Sequence, residues 1–93
     1  MDDYLSTDYK AYITVNCDHM ASGKIIPRSF VWEDGRHFDI DKVTDIRPAA
    51  SLKAGGAGLR YTVIINNIPA FMYLEEDRKV TRWFMERKKG KPP

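Results

Sequence analysis

What most restricts this chain is an alternation of apolar and polar side chains, two residues in period, that stops at turn residues and then starts again. In Tyr12 to Asp18, Ile13, Val15 and Cys17 fall on one side, and Tyr12, Thr14, Asn16 and Asp18 on the other. That is the pattern of a strand buried on one face. Ser29 to Glu33 puts Phe30 and Trp32 on one face, and Arg36 to Ile40 returns with Phe38 and Ile40 inward. Between them Asp34-Gly35 is a strong hairpin signal, predicting a type I′ turn with two positive φ angles. Leu59 to Ile65 alternates Tyr61, Val63 and Ile65 against Arg60, Thr62 and Ile64, apolar enough on both faces for a central strand. Asn66-Asn67-Ile68-Pro69 turns the chain into Ala70 to Glu75, where Met72 and Leu74 oppose Phe71 and Tyr73. Val80 to Glu86 makes a last strand carrying Trp83 and Phe84.

About six short strands spaced by roughly 8–12 residues predict an all-β fold, and closure limits the exposed edges. The expected fold is a small, partly open barrel of about six short antiparallel strands with a long Gly/Ala-rich loop. Ninety-three residues allow one domain. Residues 1–9 are expected to be flexible, 10–87 to form the barrel and 88–93 to be a disordered basic tail. Two segments fit less well. Asp41 to Ile46 is irregular, with Val43 and Ile46 both able to face the core, and Pro48 cannot donate to a ladder. Pro27 marks where a strand can begin after the break at Ala21-Ser22-Gly23.

Four Phe, five Tyr and two Trp supply an economical core, and one cysteine excludes an internal disulfide, which suits a reducing compartment. The acidic start lacks the form of a secretory signal, and no apolar run approaches the ~20 residues that span a bilayer, so a cytoplasmic protein with no membrane contact is expected. Net charge is +2, yet residues 1–46 carry five Lys/Arg against nine Asp/Glu (−4) and residues 47–93 carry ten against four (+6). An anionic partner on one face is one consequence of that polarity; a merely solvated surface is the other.

Signs of catalysis are weak. Cys17 and His19 share a strand face but two ligands do not make a zinc site, and no metal or other cofactor is expected. Asp39 and Asp41 lie opposite Phe38 and Ile40 and read as solvated, while Glu75-Glu76-Asp77 reads as a turn. An enzyme is not expected. The segment from Arg47 to Arg60 is more distinctive. Arg47, Lys53 and Arg60 bracket Gly55, Gly56 and Gly58, whose amides could form an anion-holding nest, or simply permit a tight crossing. A second indication is aromatic: with Met72 and Leu74 inward, Tyr12, Phe71 and Tyr73 turn outward and could stack single-stranded bases, or be covered by the termini or a partner copy. The candidate anion- or partner-binding residues are Arg36, Arg47, Lys53, Gly55, Gly56, Gly58, Arg60, Arg82 and Trp83.

Two phrases carry a family resemblance: Pro27-Arg28-Ser29-Phe30-Val31-Trp32-Glu33-Asp34-Gly35-Arg36, and Arg47-Pro48-Ala49-Ala50-Ser51-Leu52-Lys53-Ala54-Gly55-Gly56-Ala57-Gly58-Leu59-Arg60-Tyr61, followed by Arg82-Trp83-Phe84. Over about residues 11–87 the chain resembles a family of small uncharacterised bacterial β-barrel proteins, chiefly from Firmicutes. The resemblance implies a barrel in a bacterial cytoplasm, near DNA-repair or mobile-element genes, and implies no activity. Asp77 to Thr81 departs from the family's shorter Asp-Gly turn. The leading expectation is a non-catalytic binding or adaptor module, monomeric or weakly dimeric, with a protein or nucleic acid as partner. The alternatives are a nucleic-acid-binding protein and an accessory subunit of an enzyme complex.

Overall fold

Two long strands decide the architecture by each serving two neighbours. In the computed structural model, which describes residues 8–49, 57–77 and 80–88, β1 (Asp8–His19) pairs through Asp8–Ile13 with β7 (Val80–Lys88) and through Thr14–His19 with β2 (Ile25–Val31). β3 (His37–Asp39) pairs with β2, and after only Ile40 and Asp41 the chain continues as β4 (Lys42–Pro48) against β5 (Ala57–Ile65). β6 (Ile68–Asp77) joins β5 to β7, giving the order β3-β2-β1-β7-β6-β5-β4 with every pair antiparallel.

The two ends of that order are consecutive in the chain, so the sheet has to curl. At the handover the Ile40 N–H donates to the Arg28 carbonyl of β2 at 2.9 Å, and the Asp41 N–H to the Ile64 carbonyl of β5 at 2.8 Å. β3 and β4 are therefore two halves of one bent strand, a corner of the kind that lets a sheet switch partners. The result is a curled half-barrel, the expected fold, with seven strands where about six were expected because β3 and β4 share one bent ribbon. No helix long and apolar enough to cross a membrane occurs among the described residues.

Bulges account for both irregular stretches. The β4–β5 register shifts between Val43 and Asp45, so Val43 and Ile46 reach the same face although three residues apart. The β1–β2 register shifts between Asn16 and Cys17, and Pro27 sits there inside β2, beyond the reach of β3. Pro48 ends β4, an outer strand of the order, where a missing N–H costs least.

The type I′ turn expected at Asp34-Gly35 lies instead at Asn66-Asn67. Asn66 and Asn67 have φ of 51° and 66° between the partners Ile65 and Ile68, which makes theirs the type I′ turn. Asp41 Oδ2 accepts from the Asn66 N–H at 3.0 Å and holds it. At the other hairpin only Gly35 has a positive φ (91°), the Gly35 N–H donates to the Trp32 carbonyl at 2.9 Å, and the Trp32 N–H donates to the Arg36 carbonyl at 2.8 Å. That is a three-residue loop over Glu33-Asp34-Gly35, with the glycine in the bulge position.

Inside, Phe30, Tyr61, Val63, Met72, Leu74 and Trp83 form the buried core. The Tyr61 hydroxyl donates to the Ile25 carbonyl at 2.6 Å, tying β5 to β2 across the interior. Two boundaries move: β1 begins at Asp8, within the segment expected to be flexible, and β7 runs to Lys88. Residues 89–93 of the expected tail lie outside the described residues.

Candidate functional site

The outer face of β1, β7, β6 and β5 carries a second apolar layer. Register places Arg47, Arg60, Tyr73, Phe84 and Tyr12 in one row across five strands, β4 through β1. Strict alternation explains why. Phe84 and Tyr73 stand opposite core residues Trp83, Met72 and Leu74, so the same strands that fill the barrel also push rings outward. Tyr73 stacks on Phe84 with centroids 4.8 Å apart and planes 6° from parallel, and Tyr12 meets Phe84 edge-on at 5.7 Å. Phe84 is only 1% exposed, although it points away from the barrel, whereas Tyr12 and Phe71 are 42% and 47% exposed.

Cations sit over these rings. The Arg82 guanidinium is 4.3 Å from the Tyr12 centroid, Arg60 is 4.6 Å from that of Phe71, and the Lys10 ammonium is 4.7 Å from that of Phe84. Each such contact contributes on the order of 0.5–1 kcal/mol at an exposed site. The Arg60 Nε is buried with no hydrogen-bond partner among the described residues. Tyr73's phenol is pushed up by burial and by the Glu86 carboxylate, against the opposing effect of Arg60.

Glu75 organises one end of the strip. It is the one buried charged residue among the described residues. Its Oε1 accepts from the Tyr12 hydroxyl at 2.9 Å and lies 3.6 Å from Arg82 Nη2, and its Oε2 is 3.4 Å from Lys10 Nζ. Burial works to raise its carboxyl pKa, but the Tyr12 hydrogen bond, Lys10 and Arg82 together outweigh burial and hold it below the usual range. The turn expected at Glu75-Glu76-Asp77 is thus strand, and Glu75 is a fixed anion beneath the rings. Its signal was present in the alternation Phe71, Tyr73, Glu75, which sets all three on one face.

A cleft of about 410 Å³, lined by Tyr12, Ile13, Thr14, Val15, Thr81, Arg82 and Trp83, opens where β1 leaves β7 for β2. A second opening, about 510 Å³, lies across the barrel between Lys24, Ile25, Ile46, Leu59 and Tyr61, away from the rings.

The residues proposed from sequence divide into three groups. Arg47, Arg60 and Arg82 belong to or border the strip. Arg47 and Arg60 are direct register partners, a like-charge pair that would repel, but Arg47 turns to Asp45 at 2.6 Å while Arg60 turns to Phe71. A second group does not fit. Arg36 stands at the opposite end of the bent β3–β4 strand from Arg47, paired with Asp34 at 2.7 Å and 5.5 Å from the Phe38 ring centroid, so it does not join the cluster. The Arg36 main-chain N–H, then its guanidinium, holds the Asp34 carboxyl below its usual range despite partial desolvation. Trp83 is core, 8% exposed, because its strand face is the inner one. Gly58 lies in β5 opposite Glu75 with no positive φ, so it contributes strand and not a nest. Lys53, Gly55 and Gly56 lie outside the described residues. Cys17 is half-buried, its thiol pushed up by burial and by Asp18, and His19 on the same strand is exposed.

Compared with protein-family models, curated proteins and solved structures, the chain matches none.

Proposed function

We propose that this protein is a non-catalytic binding module whose contact surface is the outer strip of Tyr12, Arg60, Phe71, Tyr73 and Arg82, with Lys10 at its margin. The observation that carries this reading is the sheet face on which register brings Tyr12, Tyr73 and Arg60 into one row, with Phe71 and Arg82 beside it and a guanidinium over each exposed ring. A soluble fold needs its apolar surface inside. Two rings near half exposure, each with a guanidinium over it, make a surface suited to a partner with planar and anionic groups.

Support for a non-catalytic role comes from Glu75. Held ionised by three neighbours, it is in the wrong state for a general acid and too weak a base near neutral pH. The setting we propose is a bacterial cytoplasm, on the single half-buried thiol of Cys17 and the family resemblance of the two quoted phrases.

The test is amide-resonance mapping of the whole chain against two probes, an oligothymidylate and an oligoglutamate peptide. Shifts from whichever probe binds should gather on Tyr12, Arg60, Phe71, Tyr73 and Arg82. Shifts gathered instead at Lys24, Ile46 and Leu59, or no shifts with either probe, would overturn the assignment of this face.

A further inference from the structure

Resting on that reading of the outer strip, we infer that its partner is single-stranded nucleic acid, with bases stacked at Tyr12 and Phe71 and phosphates held by Arg60, Arg82 and Lys10. Three features of the strip select this chemistry. The first is the pairing of ring with guanidinium. A guanidinium held over an aromatic ring adds a second planar group beside it, and bases stack on guanidinium planes as they do on rings. Its terminal Nη groups can still donate to a phosphate beside the ring. Arg82 on Tyr12 and Arg60 on Phe71 are two such units, built on different strands.

The second feature is spacing. Tyr12 and Phe71 are two strands apart, and Phe71 is two residues from Tyr73, the row-mate of Phe84 and Tyr12. Strand geometry puts the two units roughly 12 Å apart along a diagonal. That suits bases along an extended strand. A duplex offers its base faces only at its ends, and an oligoglutamate peptide has no aromatic rings to stack on both units. The cleft between Thr14 and Thr81 opens beside the Tyr12 unit and continues the same track.

The third is charge. Lys10, Arg60 and Arg82 face the ligand, and Glu75 and Glu86 sit beside them, so the strip is only mildly positive. Binding that rests on stacking with few phosphate contacts follows from this, not the steep electrostatic attachment of a duplex-coating protein. With three contacts on a single strand, log K against log salt should have a slope of about −2.

The experiment is fluorescence anisotropy of a labelled oligothymidylate with the full chain, beside a duplex of equal length, across a salt series. The single strand should bind better than the duplex, with the shallow slope just given. Phe71→Leu keeps apolar bulk at a 47% exposed position and should weaken binding roughly five- to 150-fold, the loss of one stacked base, with cooperative unfolding retained and its midpoint lowered only by the loss of the Arg60 contact. Phe71→Trp should retain affinity, and bound oligonucleotide should quench the added indole, a signature of stacking. Duplex bound as tightly as single strand, an unquenched indole, or unchanged affinity in Phe71→Leu would each overturn the inference. If the oligoglutamate peptide shifts the strip and no oligonucleotide binds, this inference falls and the binding face stands. If an oligonucleotide binds with its shifts elsewhere, both fall.

Discussion

At the scale of single residues, backbone conformation and one buried charge set the testable energetics. Gly35 has φ of 91° and open space where a Cβ would stand, so Gly35→Ala costs only the left-handed backbone, about 1–2 kcal/mol, readable as a lowered urea midpoint. Asn67→Gly, also at positive φ, should be neutral or slightly stabilising by the same measure. Glu75 makes a pH prediction. Its carboxyl is lowered on folding, so its contribution is complete above the ordinary glutamate range and is lost as pH falls through the lowered value. In urea unfolding, Glu75→Gln should be less stable by about 1–3 kcal/mol at neutral pH. That gap should narrow below about pH 4. A gap that widens on acidification would show that the carboxylate is not stabilised by Tyr12, Lys10 and Arg82. None of this could be read from Glu75-Glu76-Asp77 as a run of acids, because three successive charges resemble a turn until the strand's alternation is carried through them.

At the scale of elements, the alternation was legible and the bulges were not. Tyr61, Val63 and Ile65 face the core as their spacing predicts, as do Met72 and Leu74. Val43 and Ile46, three apart, fit no simple strand, and the register shift between Val43 and Asp45 resolves them. Deleting Thr44 would remove the bulge and leave Val43, Asp45 and Ile46 in plain alternation opposite Val63, Thr62 and Tyr61, with Ile46 still facing the core. The expected result is retained cooperative unfolding in circular dichroism, where deleting Thr62 from the unbulged β5 would turn part of that strand over and abolish it. The hairpin at Asp34-Gly35 was located correctly but typed wrongly. A glycine after an aspartate fits both a two-residue I′ turn and a three-residue turn with a bulge, and only the hydrogen bonds at Trp32 distinguish them.

At the scale of the whole molecule, closure and the outer strip depend on contacts between distant segments. The Tyr61 hydroxyl reaches the Ile25 carbonyl 36 positions away, and Tyr61→Phe should cost about 1–2 kcal/mol by leaving that carbonyl unpaired. Sequence pointed to Arg47, Arg60 and Arg82 as basic residues and to Tyr12, Phe71 and Tyr73 as outward rings. It had no means of showing that these two sets are one surface, because the row joining them crosses five strands whose order follows from closure. The same closure separates Arg36 from the others. The direct measurement of the central claim is therefore the affinity of a labelled oligothymidylate for Arg60→Gln beside Arg36→Gln, two variants with the same change in net charge. The strip predicts a loss of about tenfold for Arg60→Gln and less than about twofold for Arg36→Gln. Equal losses would contradict it, leaving overall charge, and not this face, as the source of binding.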